Sequence, residues 1–212
     1  MNVLVLGCLT RATGNAVTTR RIAGHLATRH RVTLRDTSAL DVRALGDVAR
    51  GIDVAVGVHA LLAGPWLRRC GAPYALVLGG TDLYEPAHDL HARQMALAVR
   101  HADALVAFSA ENARRAAARW PDARAATRVI AQSVDVACDP RYSLRRALGL
   151  APDDRLLLLA AGLRRVKDPS HLLDAVGAWH ARDPRVHLAL VGDALEPDHA
   201  DAALRHVART PG

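Results

Sequence analysis

Short apolar runs alternate with longer amphipathic stretches along the first two-thirds of the chain. Asn2 to Gly7 is a β-rich run ending in glycine, and His30-Arg-Val-Thr-Leu-Arg35 alternates apolar with polar. Between them Ile22, Ala23, Leu26 and Ala27 recur at helical spacing, which predicts a helix from about Asn15 to Thr28 with Asn15 as its cap. Asp53 to His59 predicts a buried strand, followed by a short helix through Leu61 to Arg69. Pro73 to Leu78 predicts another strand, running into Gly79-Gly-Thr-Asp-Leu-Tyr84. The pattern from Ala87 to His101 is helical and Ala104 to Phe108 reads as a strand. Ser109 and Glu111 then open a helix ending near Trp120-Pro121, and Arg128 to Ala131 gives a sixth strand. This alternation predicts an α/β fold, with one complete Rossmann-like, doubly wound parallel sheet over residues 1–133.

The rhythm breaks from Asp135 to Asp154. Asp139-Pro140 and Pro152-Asp-Asp154 bracket a short helix at Ser143 to Leu148, and residues 134–154 read as a linker. Residues 155–212 supply a strand at 155–161, a helix at 169–181, a strand at 186–191 and a helix from about Asp198 to Arg209. Two strands and two helices are fewer than an independent sheet domain usually carries. This half is expected to be a partial second Rossmann-like domain, the chain stopping inside it. Leu188, Leu190 and Val191 are then left uncovered, and the expected consequences are lower stability than in 1–133 and self-association through the incomplete C-terminal domain.

Composition narrows the class. Hydrophobic residues at 50% allow a sizeable core, and 3% aromatic content leaves that core to Ala, Val and Leu. The formal net charge of +7 comes without a block of consecutive basic residues or interleaved aromatics, so no nucleic-acid partner is expected. Cys8, Cys70 and Cys138 show no CxxC or CxxH spacing, and their odd number argues against a disulfide framework and for a reduced, cytoplasmic protein. The apolar start is too short for a signal peptide, and no run reaches the length of a membrane span.

Leu156 to Ala175 carries the densest chemistry. A leucine-rich strand is followed by Gly162, then by Arg164, Arg165 and Lys167 in a turn, then by Asp168-Pro169 as the expected cap and first residue of a helix. A cationic turn between a strand's carboxyl end and a helix N-terminus suits an anion such as a pyrophosphate; the same charges also fit a solvated surface turn. Gly14 and Asn15 at the first strand-to-helix turn fit a phosphate-proximal position or ordinary capping. Gly80, Thr81 and Asp82, with Gly79, fit a ligand cleft or a tight turn capped by Asp82. His59 fits a cleft ligand or a satisfied strand-end histidine. His88 and His91 lack a third metal ligand at suitable spacing and read as a solvated helix face. Trp179, at helical spacing from Leu172 and Val176, is expected in the core. The first turn has no GxGxxG and the chain has no Walker lysine motif, which disfavours other doubly wound nucleotide enzymes.

In order and spacing, Thr13-Gly-Asn-Ala-Val-Thr18, His30-Arg-Val-Thr-Leu34, Gly79-Gly-Thr-Asp82, Arg145-Arg-Ala-Leu-Gly-Leu-Ala-Pro152 and Gly162-Leu-Arg-Arg-Val-Lys-Asp-Pro169 resemble the GT-B glycosyltransferases of family 4, the "glycosyl transferases group 1" type. The likeness covers essentially the whole chain. It is closer still to the glycosyltransferase 1 domain-containing protein 1 group, through Trp120-Pro121, Gln132-Ser133, Ala178-Trp-His180 and Val186-His-Leu188 as well. The selenosugar synthases of selenoneine biosynthesis are less similar.

The resemblance implies a GT-B fold and retaining transfer of a hexosyl or N-acetylhexosaminyl group from a nucleotide-sugar donor to an unknown acceptor. It places the acceptor mainly on the N-terminal domain and the donor mainly on the C-terminal one, with no metal cofactor. Charge growing on a nucleoside diphosphate leaving group would be met by fixed cations and helix N-termini, with Lys167 in the place of the family's pyrophosphate-binding lysine. Two positions depart from the pattern. Gly162 stands where an arginine is usual, with Arg164 or Arg165 as substitutes, and Gly79 stands where a histidine often faces the donor sugar, leaving His59, Thr81 and Asp82 to line the cleft. No Glu-x7-Glu pair follows Lys167, so strongly reduced nucleotide-sugar affinity and turnover are expected of these 212 residues. A non-catalytic binding or interaction module is the alternative.

Overall fold

A computed structural model describes residues 1–10, 13–134 and 138–212. Asp135 and neighbouring parts of the expected linker, like part of the expected loop at 10–14, lie outside the described residues. The chain forms two compact units, Met1–Val134 and Asp135–Gly212.

The first unit contains β1 (Asn2–Gly7), α1 (Gly14–Ala27), β2 (Arg31–Asp36), α2 (Val42–Ala49), β3 (Val54–Val58) and α3 (Gly64–Leu67). It continues with β4 (Tyr74–Val77), α4 (Gly80–Tyr84), α5 (Asp89–Arg100), β5 (Ala104–Ala107), α6 (Ala110–Arg119) and β6 (Thr127–Val129). The six strands lie in the order β2-β1-β3-β4-β5-β6, each neighbouring pair parallel. Strand order therefore reverses at β1/β3, and a doubly wound sheet opens its crevice outside the carboxyl ends at such a switch point. Alternation along β1 divides the core between two faces. Val3 and Val5 pack with Ala23 of α1, whereas Leu4 and Leu6 join Leu45, Leu67, Leu76, Met95, Leu105 and Ala116 on the other side. Gly7 lets α1 settle on the end of β1, since a Cβ there would stand 2.3 Å from Thr19 Oγ1.

Three local expectations change. The cap of α1 is Thr13, extended at φ −108° and ψ 159°, whose hydroxyl accepts from the Ala16 amide at 3.4 Å. Asn15 is thereby inside the helix and its side chain is not used for capping. Residues 80–84 form a short helix rather than a bare turn, and β6 starts at Thr127 and ends at Val129.

Tyr74 shows how the core responds to pH. Its phenol donates to the Ala98 carbonyl at 2.6 Å. Burial pushes this phenol up to about 12; Arg68 opposes the shift, and Asp103 and Cys70 add to it. The folded form thus keeps a proton that an unfolded tyrosine releases near its ordinary value of 10.0. This contribution is fully present below about pH 10 and is lost as pH rises towards about 12. Urea midpoints should fall across that interval in the wild type and fall less steeply in Tyr74→Phe; equal slopes would remove Tyr74 from the account.

The second unit contains α7 (Leu144–Ala147), β7 (Arg155–Ala160), a single 3₁₀ turn (Arg165–Lys167), α8 (Leu173–His180), β8 (Val186–Val191) and α9 (Pro197–Val207). Strands β7 and β8 pair in parallel from Arg155↔Val186 to Ala160↔Val191. The helix expected from Pro169 starts four residues later. Asp168 closes the 3₁₀ turn in the left-handed conformation, at φ 40° and ψ 63°, instead of capping α8, so Pro169 is not a first helical residue. The buried stripe of α8 is Leu173, Val176 and Gly177, and Trp179 lies off it at 45% exposure, contrary to its expected core position. On β8, Leu188 and Leu190 are half-buried and Val191 is exposed, beside an apolar groove of about 330 Å³ that includes Leu144, Leu148 and Leu156.

Candidate functional site

In the first unit, the carboxyl ends of β3 and β4 and the start of α1 bring four of the sequence-predicted residues together. His59 directly follows β3 and has φ 79°. Few residues with a side chain occupy this left-handed region, although histidine is among those that tolerate it better. Such strain persists where the surroundings over-determine it. Here the surroundings are Asp82, third residue of α4 and 0% exposed. Both Asp82 carboxylate oxygens lie 3.0 Å from the Ala60 amide, and Oδ2 accepts from the Gly79 amide at 2.8 Å. The Gly79 bond is the return half of a capping box, in which the third helical side chain reaches the cap amide.

His59 Nδ1 lies 2.7 Å from Asp82 Oδ1. A carboxylate only accepts, so Nδ1 carries the proton and donates to it. With Nδ1 protonated, the Leu61 amide at 3.3 Å is a contact rather than a donor to that nitrogen. The other ring nitrogen, Nε2, is 2.6 Å from Thr81 Oγ1 and accepts the threonine's proton when the ring is neutral. Hydroxyl, imidazole and carboxylate therefore form one continuous chain, with the carboxylate fully buried and Thr81 half-buried at the open end.

Asn15 reaches the same place from α1. A Cβ at Gly79 would stand 3.4 Å from Asn15 Oδ1 and 3.8 Å from His59 Cδ2. The His59 ring thus lies beside the position at which a residue-79 side chain would begin. Gly14 and Gly80 border open space, with nothing within 4 Å of where a Cβ would stand at either. Gln132 and Ser133 lie against α1. Gln132 Nε2 donates to Thr18 Oγ1, and Arg21 donates to the Ser133 carbonyl.

The cationic turn is built within the second unit. The Leu163 amide donates to the Asp193 carbonyl at 2.8 Å, the Glu196 amide to the Leu163 carbonyl at 3.2 Å, and the Arg165 amide to Glu196 Oε2 at 3.0 Å. These bonds fasten residues 163–165 to the loop after β8. A Cβ at Gly162 would come within 2.5 Å of Leu195 Cδ1, so Leu195 fills the space a side chain at 162 would need. Arg164 is half-buried, Arg165 and Lys167 are exposed, and among the described residues none of these three side chains is engaged in an ion pair or hydrogen bond. Three unpaired cations after the carboxyl end of a parallel strand can meet an anion without first breaking a protein contact. No group of three or more His, Cys, Asp or Glu among the described residues is placed to hold a metal ion. No described helix is long and apolar enough to cross a membrane.

Known proteins resemble this chain in sequence and in fold. The chain is 30% identical over 207 residues to glycosyltransferase 1 domain-containing protein 1 of Xenopus tropicalis, a match covering 93% of this chain and 60% of that protein. Its fold is like that of Anabaena Alr3699/HepE. The TM-score is 0.73 at 20% identity to the HepE complex with UDP and glucose, and 0.73 at 19% identity to the complex with UDP-glucose, covering 99% of this chain and 66% of HepE. No protein-family model matches. The chain therefore spans about 60% of the length of the curated relative it matches.

Proposed function

We propose that the protein transfers a sugar from a nucleotide-sugar donor to an acceptor, as a GT-B enzyme of the family 4 type acting with retention and without a metal cofactor. Residues 155–212 hold the donor and residues 1–133 the acceptor. The observation that carries this is the turn at 162–167, where the side chains of Arg164, Arg165 and Lys167 have no ion-pair or hydrogen-bond partner among the described residues and residues 163–165 are fastened to the loop after β8. The name of the Xenopus relative and the UDP and UDP-glucose bound to HepE support the same chemistry. Fixed cations suit the step in which the sugar leaves a diphosphate, because they stabilise charge that grows in the transition state.

Titration calorimetry with UDP tests the donor side. Lys167→Ala should weaken UDP binding by roughly tenfold, the loss of one charge-assisted contact of about 1.5 kcal/mol. Arg164→Ala should weaken it by a smaller factor, and Trp179→Ala, on the exposed side of α8, should leave it unchanged. Saturable UDP binding that is indifferent to Lys167 and Arg164 would move the donor site elsewhere.

A further inference from the structure

We propose that the groove between the C-terminal turns of α5 and α6 binds a small amphiphilic anion, a molecule with an apolar body and a carboxylate. The inference stands on the first unit alone and is independent of the sugar-transfer reading. The groove has a volume of about 440 Å³, within the roughly 300–1,000 Å³ common for small-molecule sites. It lies at the other end of the sheet from His59 and Thr81. Arg100 ends α5 just before β5 begins, and Trp120 to Ala123 lead from α6 towards the start of β6.

One wall is a face of α5 that takes no part in the core. Arg93, Ala96, Leu97 and Arg100 recur at helical spacing along it, whereas the core face of the same helix carries Met95, Ala98 and Val99. Leu97 is 39% exposed, and Trp120 and Pro121 extend the apolar lining across the groove. These side chains line a concavity between two helices instead of forming a ridge, which suits a separate small molecule over a membrane surface.

Charge decides what such a lining accepts. Arg93, Arg100 and Arg119 stand against a single acid, Asp122, a formal balance of +2. Arg93 and Arg100 are exposed and have no ion-pair or hydrogen-bond partner among the described residues. Arg100 and Arg119 occupy last helical turns, where a cation offsets the helix C-terminus, but Arg93 lies mid-helix and has no such role. Arg119 is already fixed, its guanidinium 5.4 Å from the Trp120 ring centroid and donating to the Glu85 carbonyl at 3.1 Å. Arg93, with every guanidinium donor unengaged, can take a carboxylate in the bidentate geometry that guanidinium groups favour.

Titration calorimetry of the full chain with octanoate, 1-octanol and acetate tests the site. Octanoate should bind saturably, at one site per chain. Its affinity should exceed by about tenfold or more that of octanol, which lacks the charge, and that of acetate, which lacks the apolar body. Arg93→Ala and Arg100→Ala should each weaken octanoate binding about tenfold, and Arg93→Lys should weaken it less. Leu97→Asp, which places an acid on the apolar wall, should abolish it. Arg43→Ala, on α2, should leave it unchanged. Each of these side chains is exposed, so the variants keep the fold. Octanoate that binds no better than octanol, or equally well to wild type, Arg93→Ala and Arg100→Ala, would overturn the proposal. So would sedimentation of the chain with phosphatidylglycerol vesicles without any saturable octanoate binding, which would make these arginines a lipid-facing surface.

Discussion

Replacing Asp82 with alanine is expected to destabilise the first unit by about 3–5 kcal/mol, the cost typical of breaking a buried, hydrogen-bonded charge arrangement. Asp82 is fully buried and accepts from the Ala60 amide, the Gly79 amide and His59 Nδ1 at 2.7–3.0 Å. Alanine orphans these donors, and each buried donor left without a partner costs about 1–3 kcal/mol. It also releases His59 from the partner that holds its backbone at φ 79°. An asparagine would not fully repair the loss, because its amide turns a donor towards a cluster made only of donors; Asp82→Asn should fall between wild type and Asp82→Ala. Urea unfolding, followed by a probe in residues 1–134, measures the difference. An Asp82→Ala variant within about 1 kcal/mol of wild type would mean that water or a rearranged loop satisfies these amides.

Replacing Gly162 with arginine is expected to harm the second unit and to add nothing to UDP binding. A side chain there would begin 2.5 Å from Leu195 Cδ1 and 3.1 Å from Leu195 Cγ. Leu195 is carried by the loop whose Asp193 carbonyl and Glu196 carboxylate anchor residues 163–165. Gly162→Arg should therefore cost about 3 kcal/mol, the upper end of what overpacking usually costs, and should disturb the turn that holds Lys167. Leu195→Ala in the same chain should recover part of that loss. Tighter UDP binding by Gly162→Arg at undiminished stability would show that Leu195 does not dictate the glycine.

Most strands are legible because they are apolar runs of ordinary length, whereas β2 alternates apolar with polar residues. Val54–Val58 and Val186–Val191 lie where the pattern puts them. Ends were less legible where two capping residues compete. Thr13 and Asn15 are both good caps, and hydrophobic periodicity starting at Ile22 cannot choose between them. Asp168-Pro169 carries a real helix-start signature, yet aspartate also tolerates the left-handed conformation, and closing the 3₁₀ turn there takes precedence. Trp179 shows the same limit: once α8 begins at Leu173, the buried stripe passes beside it.

The sites divide along similar lines. The turn at 162–167 is contiguous in sequence, so its charge and its strand-to-helix position were visible at once. The joining of His59 to Thr81 and Asp82 was not, since β4 lies between them and no local period links residues so far apart. What the sequence did offer was position: His59 ends one strand, Gly79–Asp82 follows the next, and neighbouring parallel strands bring their carboxyl ends together. Leu195 as the reason for Gly162 had no sequence signal, because contact between two loops follows from the pairing of β7 with β8.

The proposed donor site is the 162–167 turn, fastened to the loop after β8. The most direct measurement is a titration of the isotope-labelled chain with UDP-glucose, followed by NMR amide and arginine side-chain shifts. Saturable shifts are expected at Gly162 to Lys167 and at the adjoining residues 193–196, abolished or strongly weakened in Lys167→Ala. Saturable shifts that leave this turn untouched, or no shifts at millimolar UDP-glucose in a folded chain, would contradict it.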